Sequence, residues 1–265
     1  LALRRTFLLA AAGAAATPVL AQVDVGKTSA MAKLVPAGTL EKSAAQQYSQ
    51  MMAEAKAQGA LASPNNAQLQ RLRAIAQRLV PHTPQWNERA PGWKWEVNLI
   101  GSKQINAFVM PGGKIVFYTG ILDQLQLTDD EIAMVMGHEM AHALREHARE
   151  RLAKSQVTGM GLSLGAQLLG LGDMGNLAAN LGTELLTLQY SRSDESEADL
   201  VGLEIAARAG YDPKAAITLW QKMAKATGDK GGMAFLSSHP SGPNRIKELE
   251  ANLPKVESLY RRSPR

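Results

Sequence analysis

The sequence predicts an α+β fold, mostly helical, with a small sheet just ahead of a long central helix. Apolar residues recur at helical spacing over most of the chain, and aromatics make up only 5% of its 265 residues, so aliphatic and Ala-rich helix packing dominates. Clear alternation is confined to a stretch beginning at Trp93, where Trp93, Trp95, Val97 and Leu99 point one way and Lys94, Glu96 and Asn98 the other. Hydrophobic residues at 45% and charged residues at 20% belong to a globular chain with enough length for one sizeable core.

Residues 1–21 read as an export signal. Arg4 and Arg5 precede an uncharged apolar stretch, Phe7 to Ala16, and Val19-Leu20-Ala21 offers a cleavage site before Gln22. A short membrane anchor is the other reading of this segment. Residues 22–42 mix small, polar and Pro residues without periodicity and read as a linker; residues 43–258 form the folded domain and 259–265 a tail. Within the domain, Ser43 to Ala60 and Asn65 to Val80 read as helices. The second carries Leu69, Leu72, Ile75, Ala76 and Leu79 on one stripe and is closed by Pro81 and Pro84. Trp93 to Ile100, Ile105 to Met110 and Lys114 to Tyr118 are strands, with turn chemistry at Pro111-Gly112-Gly113, and a small antiparallel sheet is expected.

Thr128 opens the central helix. Thr128 and Glu131 have the spacing of a capping box, and Asp129 and Asp130 suit the positive end of the helix dipole. This helix is expected to reach about Ala153. Residues 155–190 are Gly-interrupted and apolar; loosely packed helices and a surface that lies on a membrane or over the active site are both open readings. Helices follow from Ser191 to Ala209, from Pro213 to about Thr227 and from Pro243 to Leu253, with a loop from Gly231 to Asn244.

Bulk chemistry narrows the function. The chain has no cysteine, so disulfides have no part in its stability and any metal must be held by His and carboxylate. The formal charge is +5, or +3 without Arg4 and Arg5, and no basic run accompanies it, so nucleic acid is not an expected partner.

The chemistry concentrates in His138-Glu139-Met140-Ala141-His142. Histidines four apart on a helix put two imidazoles on one face, one turn apart, which suits tetrahedral zinc. Glu139, at the edge of that face, is placed to take a proton from zinc-bound water without ligating. A catalytic site needs a third ligand and one open position. His147, five residues beyond His142, is expected to face away from the pair. Glu195, Asp199, Gly202 and Ala206 share one face of a later helix, small except for its two acids, so that face can approach another helix closely. Glu195 is then a candidate to reach zinc, and Asp199, one turn on, a candidate to hold a ligating His by its second nitrogen. Glu197 is read as solvated, although periodicity alone leaves it open as the third ligand.

These motifs resemble the zinc metallopeptidase family of the CAAX prenyl protease, HtpX and Oma type, in its soluble exported bacterial form. The resemblance runs from about Tyr48 to Leu253. It is carried by Asn106-Ala107-Phe108 with Pro111-Gly112-Gly113, by Gly137 to His142, by Glu195-Ser196-Glu197-Ala198-Asp199, and by His239-Pro240 with Arg245-Ile246. It implies a gluzincin-like domain with one zinc on His138, His142 and Glu195, since the first Glu of the later motif is the ligand. It implies that the strand at Asn106, Ala107 and Phe108 pairs with extended peptide, and that His239 and Arg245 stabilise the developing oxyanion. The transmembrane spans of the prenyl proteases and HtpX are missing, which speaks against prenylated substrates.

The expected activity is zinc-dependent hydrolysis of internal peptide bonds, with Glu139 as general base. The expected setting is the periplasm, with polypeptide substrates drawn from unfolded or misassembled envelope proteins and peripheral contact with membrane or outer-membrane proteins. The competing reading is a zinc-stabilised chaperone or assembly factor with little proteolysis. Because His239 sits on a Gly- and Pro-bounded loop, it is also placed to block the open zinc position at rest.

Overall fold

A computed structural model describes residues 23–157, 188–227, 234–240 and 244–263. The export-signal reading and most of the Gly-rich segment 155–190 lie outside the described residues. The first helix, α1 (Ala37–Ala57), starts six residues earlier than expected, directly after Pro36, and a 3-10 turn at Ala30–Leu34 precedes it. The stretch read as a linker therefore carries structure: Val35 and Leu40 are buried and pack with Leu152 and Ala153. Helix α2 (Ala67–Leu79) is capped by the Asn66 side chain and buries the expected stripe of Leu69, Leu72, Ile75, Ala76 and Leu79.

The three expected strands form one sheet, β1 (Glu96–Ile100), β2 (Ala107–Met110) and β3 (Lys114–Tyr118), in the order β1-β3-β2. It is mixed rather than antiparallel. The Pro111-Gly112-Gly113 turn, with φ of 86° and 82° at its glycines, folds β2 back on β3, whereas β1 runs parallel to β3. The cause is burial: Ile115, Val116 and Phe117 are all covered, so β3 takes the centre. Strand β2 is left at one edge, with β3 its only strand neighbour among the described residues.

After a short helix, α3 (Thr119–Leu125), the Thr128 capping box forms as expected and starts α4 (Asp129–Leu144). The helix does not continue to Ala153. It breaks at Glu146, whose φ is 62°, and resumes as α5 (His147–Val157). Helix α6 (Arg192–Arg208) begins at a second capping box, Ser191 with Asp194, and Gly210 follows it with φ 81°. Next come α7 (Ala215–Thr227), a short helix α8 (Ala234–Ser238) inside the expected loop, and α9 (Arg245–Arg262). Helix α9 runs through Pro254 into the expected tail because Val256 and Leu259 continue its buried stripe.

Helices α4 and α6 pack backbone against backbone at Gly137 and Gly202. A Cβ on Gly137 would lie 2.8 Å from the Gly202 carbonyl oxygen, and one on Gly202 would lie 2.6 Å from the His138 nitrogen. Only glycine lets the two backbones approach this far. That contact brings the acidic face of α6 against the histidine face of α4.

Candidate active site

His138 and His142 leave α4 one turn apart, and their Nε2 atoms converge to 3.1 Å. Glu195 arrives from the first turn of α6. Its Oε1 is 3.3 Å from His142 Nε2 and its Oε2 is 3.5 Å from His138 Nε2. His239, just beyond α8, brings Nδ1 to 3.0 Å from Glu195 Oε1 and 3.3 Å from His138 Nε2. All four residues are buried, and their donor atoms lie within 4.8 Å of one another. Ligands at zinc–nitrogen distances around a tetrahedral ion stand about 3.4 Å apart. The measured separations bracket that value, and imidazole with carboxylate is a donor set that suits zinc.

Asp199 and Arg245, behind the cluster, order it. Asp199 Oδ1 accepts from His138 Nδ1 at 2.9 Å. Arg245, the first residue of α9, donates to both oxygens of Asp199 at 2.6 and 2.7 Å and to Glu195 Oε2 at 2.9 Å. Its guanidinium lies 3.5 Å from the ring centroid of Trp220, on α7. Arg245 was expected to face the oxyanion. Its donors are engaged by the two acids instead, and it does not line the cleft that Glu139 lines.

Electrostatics follow from this crowding. Burial alone lowers the proton affinity of His138, but Asp199 and Glu195 outweigh it and raise its pKa to about 9. Burial holds His142 well below its ordinary value, aided by the charges of His138 and His147 against the bond to Glu195. Glu195 is the reverse case: burial pushes it up, and hydrogen bonds from His138, His142 and His239 draw it far below the usual carboxylate range. Burial raises the Glu139 carboxyl against the lowering effect of His239 and His138. Glu139 Oε1 is buried with no hydrogen-bond partner among the described residues, and His239 Nε2 stands 3.4 Å from it.

A cleft of about 230 Å³ opens beside Glu139. Asn106 and the following strand β2, with Ala107 and Phe108, form one wall, with Tyr118, Leu188, Tyr190 and His239 around it. The short helix is tied to this wall, since the Phe235 amide donates to Ile105 O at 3.2 Å and the Tyr190 amide donates to Ser238 O at 3.1 Å. Asn106, Ala107 and Phe108 thus share one cleft with Glu139 and His239.

Two expectations from periodicity are overturned. His147 does not face away: it is buried, with Nδ1 2.9 Å from His142 Nδ1. The break at Glu146 turns it back. Glu197 is not a solvated residue, because it pairs with Arg145 and lies 3.7 Å from His147. Tyr190 was missed altogether. Its ring stacks on His142 with centroids 3.8 Å apart, and the only local hint was an aromatic just ahead of the Ser191 cap.

A helix bearing H-E-x-x-H, an acid from a second helix and a buried carboxylate at the mouth of a cleft define a zinc metallopeptidase site. The profile of Peptidase family M48 matches residues 66–253, and the chain belongs to this family. Zinc is its cofactor. The chain is 39% identical over 166 residues to Mitochondrial metalloendopeptidase OMA1 of Schizosaccharomyces pombe, covering 62% of this chain and 48% of that protein. It is 30% identical over 158 residues to Metalloprotease LoiP of Escherichia coli, covering 56% and 58%. It is also 30% identical over 135 residues to the Beta-barrel assembly-enhancing protease of Yersinia pestis, covering 48% and 27%. The chain spans about half the length, or less, of the first of these curated relatives.

Proposed function

We propose that the chain is a zinc endopeptidase that cuts internal bonds of extended polypeptides, with His138, His142 and Glu195 as ligands and Glu139 as general base. One observation carries this reading: a cleft walled by a sheet edge is lined by Glu139, with its unpartnered oxygen, and by His239, which is also a member of the buried donor cluster. Bound zinc supplies a Lewis acid for the scissile carbonyl and for the attacking water. Glu139 accepts the proton of that water at Oε1 and later delivers it to the leaving amine. The edge of β2 holds the substrate backbone extended, so affinity comes from main-chain bonds and sequence is read weakly. Asp199 holds the His138 ring, and Arg245 holds Asp199 and Glu195. His239 acts as a latch: at rest its Nδ1 completes the donor set, and when displaced it faces the oxyanion.

Weak sequence reading suits unfolded or misassembled envelope proteins as substrates. Export to the periplasm is supported by the Arg4-Arg5 and Phe7 to Ala16 pattern. No helix of the described residues is long and apolar enough to cross a membrane. The likeness to a protein named for enhancing β-barrel assembly motivates contact with outer-membrane proteins as part of the proposal.

The test is mass spectrometry of the products made from unfolded casein by the wild type and by Glu139→Gln, at equal zinc content. Internal cuts are expected from the wild type, with a loss of about 10²–10⁴-fold in the variant. Undiminished cutting by Glu139→Gln would refute the general base, and an inactive wild type would favour a zinc-stabilised binding factor. Products limited to short pieces from free ends would indicate an exopeptidase.

A further inference from the structure

The two histidines of α4 are held from behind in different ways. His138 Nδ1 meets a carboxylate directly, Asp199 Oδ1 at 2.9 Å. His142 Nδ1 meets another imidazole, His147 Nδ1, also at 2.9 Å. Beyond that ring, His147 Nε2 is buried and unpartnered at hydrogen-bond distance among the described residues, and it faces Glu197 Oε1 at 3.7 Å. Glu197 is itself paired with Arg145, which also donates to Gly26 O at 2.9 Å.

The backbone is bent to make this row possible. On an unbroken helix His147 would stand roughly 140° around the axis from His142, out of reach. The chain instead leaves α4 at Glu146, a residue other than glycine with φ 62°. Ion pairs from Arg89 and Arg149 to the Glu146 carboxylate hold it there. Placed after that bend, the His147 ring lies edge-on to His142, with centroids 4.9 Å apart.

We propose that His147 is a positioning residue for the ligand His142, acting as a neutral imidazole that accepts its proton-bearing nitrogen. The inference rests on the reading of His142 as a ligand. The order of protons then follows. A ring that coordinates through Nε2 carries its hydrogen on Nδ1. His142 Nδ1–H donates, so His147 Nδ1 accepts with its lone pair, and the His147 hydrogen must sit on Nε2, directed at Glu197. Glu197, oriented by Arg145, selects that tautomer. The row His142, His147, Glu197, Arg145 thus does for one ligand, through an intervening ring, what Asp199 and Arg245 do for the other. An outer partner of this kind fixes the ring plane and is worth about 10–100-fold in metal affinity.

The experiment uses the full chain and measures zinc affinity by competition with a chromophoric chelator, beside the cobalt absorption spectrum. His147→Leu removes the acceptor and strands a buried N–H, so zinc should bind about 10–100-fold more weakly and the cobalt bands should shift. His147→Asn offers Oδ1 where Nδ1 stood, and should recover affinity to within roughly threefold of wild type. Wild-type affinity in His147→Leu overturns the proposal, as does an Asn variant no better than Leu, which would make the ring mere packing. Should His147→Leu fail to fold, nitrogen NMR of the zinc-loaded wild type decides by itself. His147 protonated on Nε2 is the expected tautomer, and protonation on Nδ1 overturns the idea. Failure of the wild type to bind zinc would refute the site reading rather than the role of His147.

Discussion

His239 shows how little separates a ligand from a catalytic group. Its Nδ1 is 3.0 Å from Glu195 and its Nε2 3.4 Å from Glu139, so one ring touches both the donor cluster and the proposed base. Under the proposed latch the four donors together would leave no position for a substrate carbonyl. In His239→Ala, X-ray absorption at zinc should show one nitrogen fewer at rest, and basal cleavage of unfolded casein should rise. Lower cleavage with resting coordination and zinc content unchanged would defeat the latch. At this scale the sequence was most informative where chemistry lies within one helix. His138, Glu139 and His142 could be read from spacing because a helix fixes their relative angles. His147 could not, because its direction depends on one backbone angle at Glu146 that its side chain does not announce. Glu197 was misjudged because its partners, Arg145 at the end of α4 and His147 beyond the bend, come from another part of the chain.

The pairing of α4 with α6 sets the site as a whole. Gly202→Ala would place a methyl 2.6 Å from the His138 nitrogen, against backbone that cannot yield locally. A loss of about 1–3 kcal/mol in urea melts is expected, with weaker zinc binding because Glu195 is carried away with α6. A variant as stable and as tight as wild type would show that the helices reseat freely. At the head of α4, Glu131 is buried, which raises its carboxyl, yet Lys222, the Thr128 amide and the Thr218 hydroxyl hold it below its ordinary value of 4.5. A depressed folded value means stability present above pH 4.5 and lost as pH falls through the folded value. The stability difference between wild type and Glu131→Gln should therefore hold near neutral pH and shrink as pH falls through 4.5 and below, and a difference independent of pH would count against this. The Thr128 cap and the small face of α6 were readable as elements because they are local. The parallel pairing of β1 with β3 was not, because strand order is decided by which strand is buried on both faces.

For the molecule as a whole, the site concentrates ionisable groups in the core. Glu139, Glu195 and Asp199 are buried within reach of a single arginine and three imidazoles. Zinc at a hundred times its dissociation constant stabilises the fold by about 2.7 kcal/mol, so a chelator should lower the melting temperature by roughly 5–10 °C. Zinc, and not magnesium, should restore it; an unchanged melting curve would place the metal outside the folded core. The sequence alone determined the helical character, the Thr128 capping box, the paired histidines with their base, and the small acidic face able to approach another helix closely. Each of these is a local pattern with a period or a fixed spacing. The tertiary structure alone decided that β2 stands at the edge beside Glu139, that Arg245 serves the acids rather than the cleft, and that His147 turns back behind His142. Those outcomes depend on which surfaces are buried together and on one bend in the backbone, neither of which is fixed by spacing along the chain.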